Sequence, residues 1–363
     1  MTFWAGPRQT CGMRPWLAAV TVGLLLAGCS ASSETPESAP SPEPSASQTP
    51  SVEPTDEPTT EPTTAPADRT PPVRHPVSLP ALMRDRPDGG RPRITGTELE
   101  TDAYARHQVA YRSGDLTVSG VLLRPRGEGP FPAVVLNHGY IDPSYYVTGQ
   151  GMAREQDALA RAGFVVLHTD YRGHAASDDV PDLDRETRLG YTRDAINAVD
   201  ALRKLPYVDD DRLAMLGRSM GGGVTMNALV AQPGLVDAAV IYASVSSSYL
   251  ENVEHFTRPN RPEVEQALYE RFGAPRQAPR FYRQLSSRSY FDRITEPVLA
   301  HHGRADSTCP PRWATETQRL MRRAGVDSRL AWYPGEDHAF YALWQQSMDR
   351  TIAFLRAEFR ADR

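Results

Sequence analysis

From about residue 105 onward the chain alternates short apolar runs with stretches of helical periodicity. Polar and apolar residues alternate over residues 107–111 and 116–123, which predicts an antiparallel hairpin turning at Ser113-Gly114-Asp115. Nearly continuous apolar runs follow at residues 133–136, 164–167, 213–216, 238–242, 298–301 and 330–333. Such runs mark strands buried on both faces of a parallel sheet. Between them lie helical patterns. Ala195, Ala198, Val199 and Leu202 recur at i, i+3, i+4 and i+7, and Trp344, Met348, Ile352, Leu355 and Phe359 form a final stripe. Strand-helix alternation predicts right-handed βαβ units: a mostly parallel central sheet with helices on both faces. Residues 244–293 interrupt the pattern. They are polar, arginine-rich and aromatic, too long for a plain loop, and predict a short helical cap insertion over about 245–293.

Composition divides the chain into three regions. Arg8 and Arg14 precede a short apolar run over residues 16–26, and then comes Leu26-Ala27-Gly28-Cys29. A charged start, a short apolar segment and small residues describe an export signal rather than a membrane-spanning helix. The ending resembles the bacterial lipobox. That resemblance implies cleavage after residue 28 and a diacylated Cys29 that tethers an exported protein to the outer face of the cell membrane. Residues 29–80 consist almost wholly of Ser, Thr, Pro, Glu and Ala. With nothing to bury, such a segment cannot offset its ordering entropy, and it reads as a disordered stalk. Extended at ~3.1 Å per residue, it would reach roughly 140 Å at most. Residues 93–363 are the expected folded domain. Once Cys11 leaves with the signal and Cys29 takes lipid, Cys309 is the remaining cysteine of the three. The domain is therefore expected to lack an internal disulfide, with Cys309 a structural thiol. A net charge of −5 argues against a nucleic-acid partner.

The chemistry concentrates at the carboxyl ends of the predicted strands, where open α/β sheets place their sites. Gly217-Arg218-Ser219-Met220-Gly221 reads G-x-S-x-G, with a predicted strand before it and a predicted helix, ended by Pro233, after it. That is the context of a nucleophile elbow, whose tight turn presents a serine hydroxyl and needs glycine on either side. Serine needs a base to take its proton. His338, in Pro334-Gly335-Glu336-Asp337-His338, follows the last strand and is the expected base. Asp306, in His302-Gly303-Arg304-Ala305-Asp306, is the expected acid that orients the imidazole. Glu336 and Asp337 are rival acids, but they lie on the histidine's own loop. The loop Asn137-His138-Gly139-Tyr140 would offer the backbone N–H of Tyr140, and the elbow that of Met220, to a developing oxyanion. His138 reads as a turn residue. Asp170-Tyr171-Arg172-Gly173-His174 is expected to order the loop beside that oxyanion site. His301 and His302 point to opposite faces of a strand end, and no H-x-H or H-x-x-x-H spacing occurs, so no metal or cofactor is expected.

These motifs together, with Tyr290-Phe291-Asp292-Arg293-Ile294 before Pro297-Val298-Leu299, resemble the α/β-hydrolase superfamily. They are most similar to the catalytic domain of prolyl oligopeptidase-like (S9) serine peptidases, over roughly residues 105–360. The resemblance implies the α/β-hydrolase fold and triad roles for Ser219, Asp306 and His338. A stalk stands where true prolyl oligopeptidases carry a β-propeller, and Gly-Arg-Ser-Met-Gly-Gly is equally close to esterases. The expected activity is therefore cleavage of an ester or a short peptide or amide through an acyl-enzyme. Acyl transfer on the same triad, or a non-catalytic binding lipoprotein, are the alternatives. Cap arginines (Arg258, Arg261, Arg271, Arg276, Arg280, Arg283, Arg288) form a solvated face or attract an anionic substrate. Cap aromatics such as Phe256, Tyr282 and Tyr290 pack within the cap or line an acyl pocket. Oligomeric state is open.

Overall fold

A computed structural model of the chain describes residues 70–181 and 185–361. The signal, Cys29 and most of the predicted stalk lie outside these described residues. The architecture is a nine-stranded sheet in the order β1-β2-β3-β5-β4-β6-β7-β8-β9. Its antiparallel end comprises β1 (Arg93–Glu100), β2 (Tyr104–Ser113) and β3 (Leu116–Pro125), and β3 pairs antiparallel with β5 (Val165–Thr169). From there the sheet is parallel through β5, β4 (Phe131–Asn137), β6 (Val208–Arg218), β7 (Ala238–Tyr242), β8 (Val298–Gly303) and β9 (Ser328–Tyr333). The mostly parallel sheet with covered faces is the one the apolar runs predict.

Both faces of the sheet are buried because the central strands carry apolar residues at consecutive positions, which point alternately to the two faces. Ala133 and Val135 of β4 enter one core, and Val134 and Leu136 enter the other. Helices α3 (Leu189–Arg203) and α4 (Met220–Ala231) cover the first face. Helices α2 (Ala153–Arg161) and α6 (Trp344–Ala361) cover the second. Between β8 and β9 runs α5 (Pro311–Arg323). The cap between β7 and β8 is built from short helical pieces at Tyr249–Asn252, Val253–Thr257, Arg258–Asn260, Pro262–Phe272, Pro279–Gln284 and Ser287–Arg293.

Two findings differ from the sequence reading. Strand β1 is not visible in the pattern, because its side chains are almost all exposed at the sheet edge and carry no burial signal. The folded unit also begins before residue 93. Helix α1 (Leu79–Leu82) buries Leu79 and Leu82 in the first core, and the His75 ring lies 4.8 Å from that of Phe281. Residues 70–80 read as the end of the stalk, and residues 81–92 fall outside the expected domain, because their apolar positions are few and follow a proline-rich run. Their partners are distant in sequence.

Candidate active site

The elbow is built by close approach. Gly217 ends the central strand and Gly221 lies in the first turn of α4. A Cβ on Gly221 would fall 1.8 Å from the Asn137 carbonyl oxygen, and one on Gly217 would fall 2.1 Å from that of Gly221. Only glycine lets strand, turn and helix pass this closely. Ser219 between them is held at φ 56°, ψ −119°, in a sparsely populated region of the kind that collects at functional sites. Its N–H donates to the Tyr242 carbonyl at 2.9 Å, and its carbonyl accepts the N–H of Gly222 at 3.0 Å. Those bonds fix the turn from both sides.

Asp306, on the loop after β8, is buried and faces His338, on the loop after β9. The imidazole Nδ1 stands 3.0 Å from Oδ2 and 3.2 Å from Oδ1 of the carboxylate. Asp306 also accepts the N–H groups of Thr308 at 2.9 Å and Cys309 at 2.7 Å, and His302 Nε2 lies 3.4 Å from its Oδ2. The rival acids turn elsewhere. Asp337 accepts the backbone N–H groups of Ser307 and His338, which hold its carboxyl below the usual range. Glu336 accepts the N–H groups of Tyr341 and Leu343. With Nδ1 engaged by Asp306, His338 lines a cavity of about 580 Å³ that Ser219 also lines. Among the described residues no hydrogen bond joins Ser219 to His338. Apo active sites often tighten that bond only when substrate binds.

Tyr140 and Met220 line the same cavity. Met220 is the first residue of α4, so its N–H has no intrahelical acceptor. The N–H of Tyr140 has no partner among the described residues. Gly139 brings the two segments together: a Cβ there would sit 3.2 Å from Cβ of Ser219. Beneath this loop lies a buried polar layer. Asp170 accepts from Tyr146 Oη and Gly149 N–H, each at 2.8 Å, and from Ser119 Oγ at 2.6 Å; burial raises its carboxyl pKa. His138 is wholly buried, stacks on Tyr146 and faces the carbonyl of Gly139. It turns away from the cavity, and burial lowers its pKa to about 4. The Asp170-to-His174 segment thus braces the loop that carries Tyr140.

Two arginines escaped the sequence reading, as did the place of the structural thiol Cys309. Arg218, the variable position of the elbow motif, donates to the carbonyls of His338 (3.3 Å) and Ala339 (3.0 Å) and faces the buried Glu155 at 3.3 Å. Arg154 donates to Phe340 and Ala339. These arginines tie the histidine loop to the elbow and to α2, and nothing in their local sequence marks them. Cys309 is fully buried with its thiol beside Ser219 and Asp306. Burial first, and then the Asp306 charge, push its pKa well up. The thiol stays protonated and is no second nucleophile.

Fold and site together define an α/β-hydrolase with a serine-hydrolase constellation. The prolyl oligopeptidase family model matches residues 151–361, and the chain belongs to that family. It is 26% identical over 247 residues to the uncharacterized peptidase YuxL of Bacillus subtilis, covering 64% of this chain and 35% of that protein. It is 27% identical over 203 residues to the uncharacterized peptidase YtmA of the same organism, covering 55% of this chain and 73% of that one. The chain thus spans about a third of the first relative's length. Among solved structures, acetyl xylan esterase 1 from Thermoanaerobacterium superposes with a TM-score of 0.59 at 19% identity, covering 76% of this chain and 92% of that one. A puromycin-hydrolyzing peptidase of Mycobacterium tuberculosis gives 0.58 at 24% identity, covering 72% and 41%. At these identities the two structures speak to the fold.

Proposed function

We propose that the chain is an exported, membrane-tethered serine hydrolase that cleaves a carboxylic ester or a short peptide or amide through an acyl-enzyme. The observation that carries this reading is His338, bonded through Nδ1 to buried Asp306 and lining the same cavity as Ser219. In this mechanism His338 takes the Ser219 proton as the hydroxyl attacks the carbonyl carbon. Asp306 holds the tautomer and stabilises the imidazolium. The N–H groups of Tyr140 and Met220 receive the oxyanion. Loss of one such donor typically costs about 2.7–4 kcal/mol of transition-state stabilisation. His338 then protonates the leaving group, and water, activated the same way, releases the acid. A cavity of about 580 Å³ suits a small acyl group or a few residues of peptide. The peptidase names of the two Bacillus relatives support the peptide side.

Fluorophosphonate labelling tests the reading. The wild type is expected to be labelled at Ser219 and the Ser219→Ala variant to remain unlabelled, with kcat lower by several orders of magnitude. An unlabelled Ser219 in active-folded wild type overturns it. The tether rests on Leu26-Ala27-Gly28-Cys29. Wild type is expected in the membrane fraction and Cys29→Ala in the soluble fraction after expression in a bacterial host.

A further inference from the structure

The cavity beside Ser219 is lined largely by apolar groups, yet three arginines reach it: Arg188, Arg218 and Arg261. Two of them are engaged by carboxylates. Arg218 faces Glu155. Arg261, which comes from the cap, holds both oxygens of Glu186. That ion pair also occupies the carboxylate two residues from Arg188 in sequence. Elsewhere in the cap, Arg258 pairs with Glu265 and Arg288 with Glu251.

Arg188 stands apart. Among the described residues no carboxylate pairs with it. Its Nη1 touches the Met220 sulfur, a weak acceptor, and its guanidinium lies 5.8 Å from the centroid of the Tyr140 ring. Met220 and Tyr140 are the two residues whose N–H groups face the proposed oxyanion. The Arg188 backbone is held at φ 63°, a left-handed conformation that a non-glycine residue rarely adopts. Its N–H donates to the Arg185 carbonyl at 3.1 Å, and its own carbonyl accepts the Thr192 N–H at 3.0 Å and hydroxyl at 2.9 Å. The side chain is thereby launched from the start of α3 toward the reacting centre. A guanidinium offers five N–H donors in a planar fork, and a half-buried one without a counter-ion is a preformed site for a carboxylate.

We infer that Arg188 is a specificity-determining residue that binds a carboxylate on the substrate, so that the preferred substrates are acyl compounds bearing a carboxylate near the scissile carbonyl. This rests on the serine-hydrolase reading above. The substrate carboxylate pairs with a guanidinium that no carboxylate of the described residues engages, and it enters on the side of Tyr140 and Met220.

The test compares kcat/KM of the full-length protein on three esters. These are neutral p-nitrophenyl butyrate, mono-p-nitrophenyl adipate with its carboxylate on the acyl side, and 3-carboxy-4-nitrophenyl butyrate with its carboxylate on the leaving group. At low ionic strength one charged ester is expected to exceed the neutral one by about tenfold or more, a preference that salt erodes. Arg188→Gln is expected to lower that charged-to-neutral ratio by about tenfold or more, and Arg188→Lys to restore part of it. The arm that responds tells which side carries the carboxylate. Calorimetric binding of monomethyl adipate supplies a readout that needs no turnover, with weaker binding expected in Arg188→Gln. Ratios near one in both arms, or equal affinity of wild type and Arg188→Gln, overturn the inference. Failure of fluorophosphonate labelling instead overturns the parent reading, and the calorimetric comparison still decides this one.

Discussion

Asp306 reaches His338 from the loop after a separate strand, while Asp337 spends its oxygens on the backbone of its own loop and of Ser307. The two acids therefore differ in direction rather than in chemistry. Asp306→Asn is expected to lower kcat by about 10⁴-fold at neutral pH, because an amide holds the wrong tautomer of the imidazole. Asp337→Asn keeps an acceptor for the loop and is expected to stay within about tenfold of wild type. Steady-state kinetics on a chromogenic ester or anilide check both. Equal losses would move the acid role away from Asp306. At this scale the sequence carried the chain order Ser219, Asp306, His338. It carried no sign of Arg154 or Arg218, because an arginine that donates to a carbonyl more than a hundred residues away leaves no local pattern.

The elements are joined near the site by a buried ion pair. Asp194 of α3, fully buried, accepts from Arg172 Nη2 at 2.6 Å, from the Arg172 N–H at 2.8 Å and from Ser113 Oγ at 2.6 Å. It thus links the hairpin, the loop after β5 and the helix that begins beside Arg188. Asp194→Ala removes the carboxylate that faces the buried Arg172 guanidinium and is expected to cost about 3–5 kcal/mol, read as a lower denaturant midpoint. An exposed pair such as Arg319–Glu316, both about half exposed, is expected to contribute at most about 1 kcal/mol by the same measurement. The contrast separates a structural ion pair from a solvated one, which composition alone cannot do. Helix α4 illustrates the same limit. Three consecutive glycines disfavour a helix, yet the helix starts at Met220 and runs through them, and Gly221 lets it pass under the Asn137 carbonyl.

For the whole molecule, acid sensitivity follows from histidines packed without charge. Burial lowers the pKa of His138 to about 4 and that of His301 to about 3, from an ordinary 6.5. The unfolded chain therefore takes up protons first as pH falls. The contribution is fully present above about pH 6.5 and declines toward pH 4, by up to about 1.4 kcal/mol per pH unit for each histidine. Urea unfolding at pH 7 and pH 5 is expected to show a lower midpoint at pH 5. A pH-independent midpoint would mean that these rings charge in place.

The sequence by itself determined the α/β class, the sheet's buried strands and the strand-turn-helix around Ser219. Those features depend on local periodicity, on glycine and proline, and on apolar runs, all of which are written residue by residue. Only the tertiary structure decided which acid meets His338, that residues 70–92 belong to the packed unit, that Cys309 lies beside the nucleophile, and that Arg188 lines the cavity with no carboxylate of the described residues paired to it. Each of these is a meeting of groups far apart in the chain, and a meeting depends on three-dimensional distance and burial, which no local pattern records.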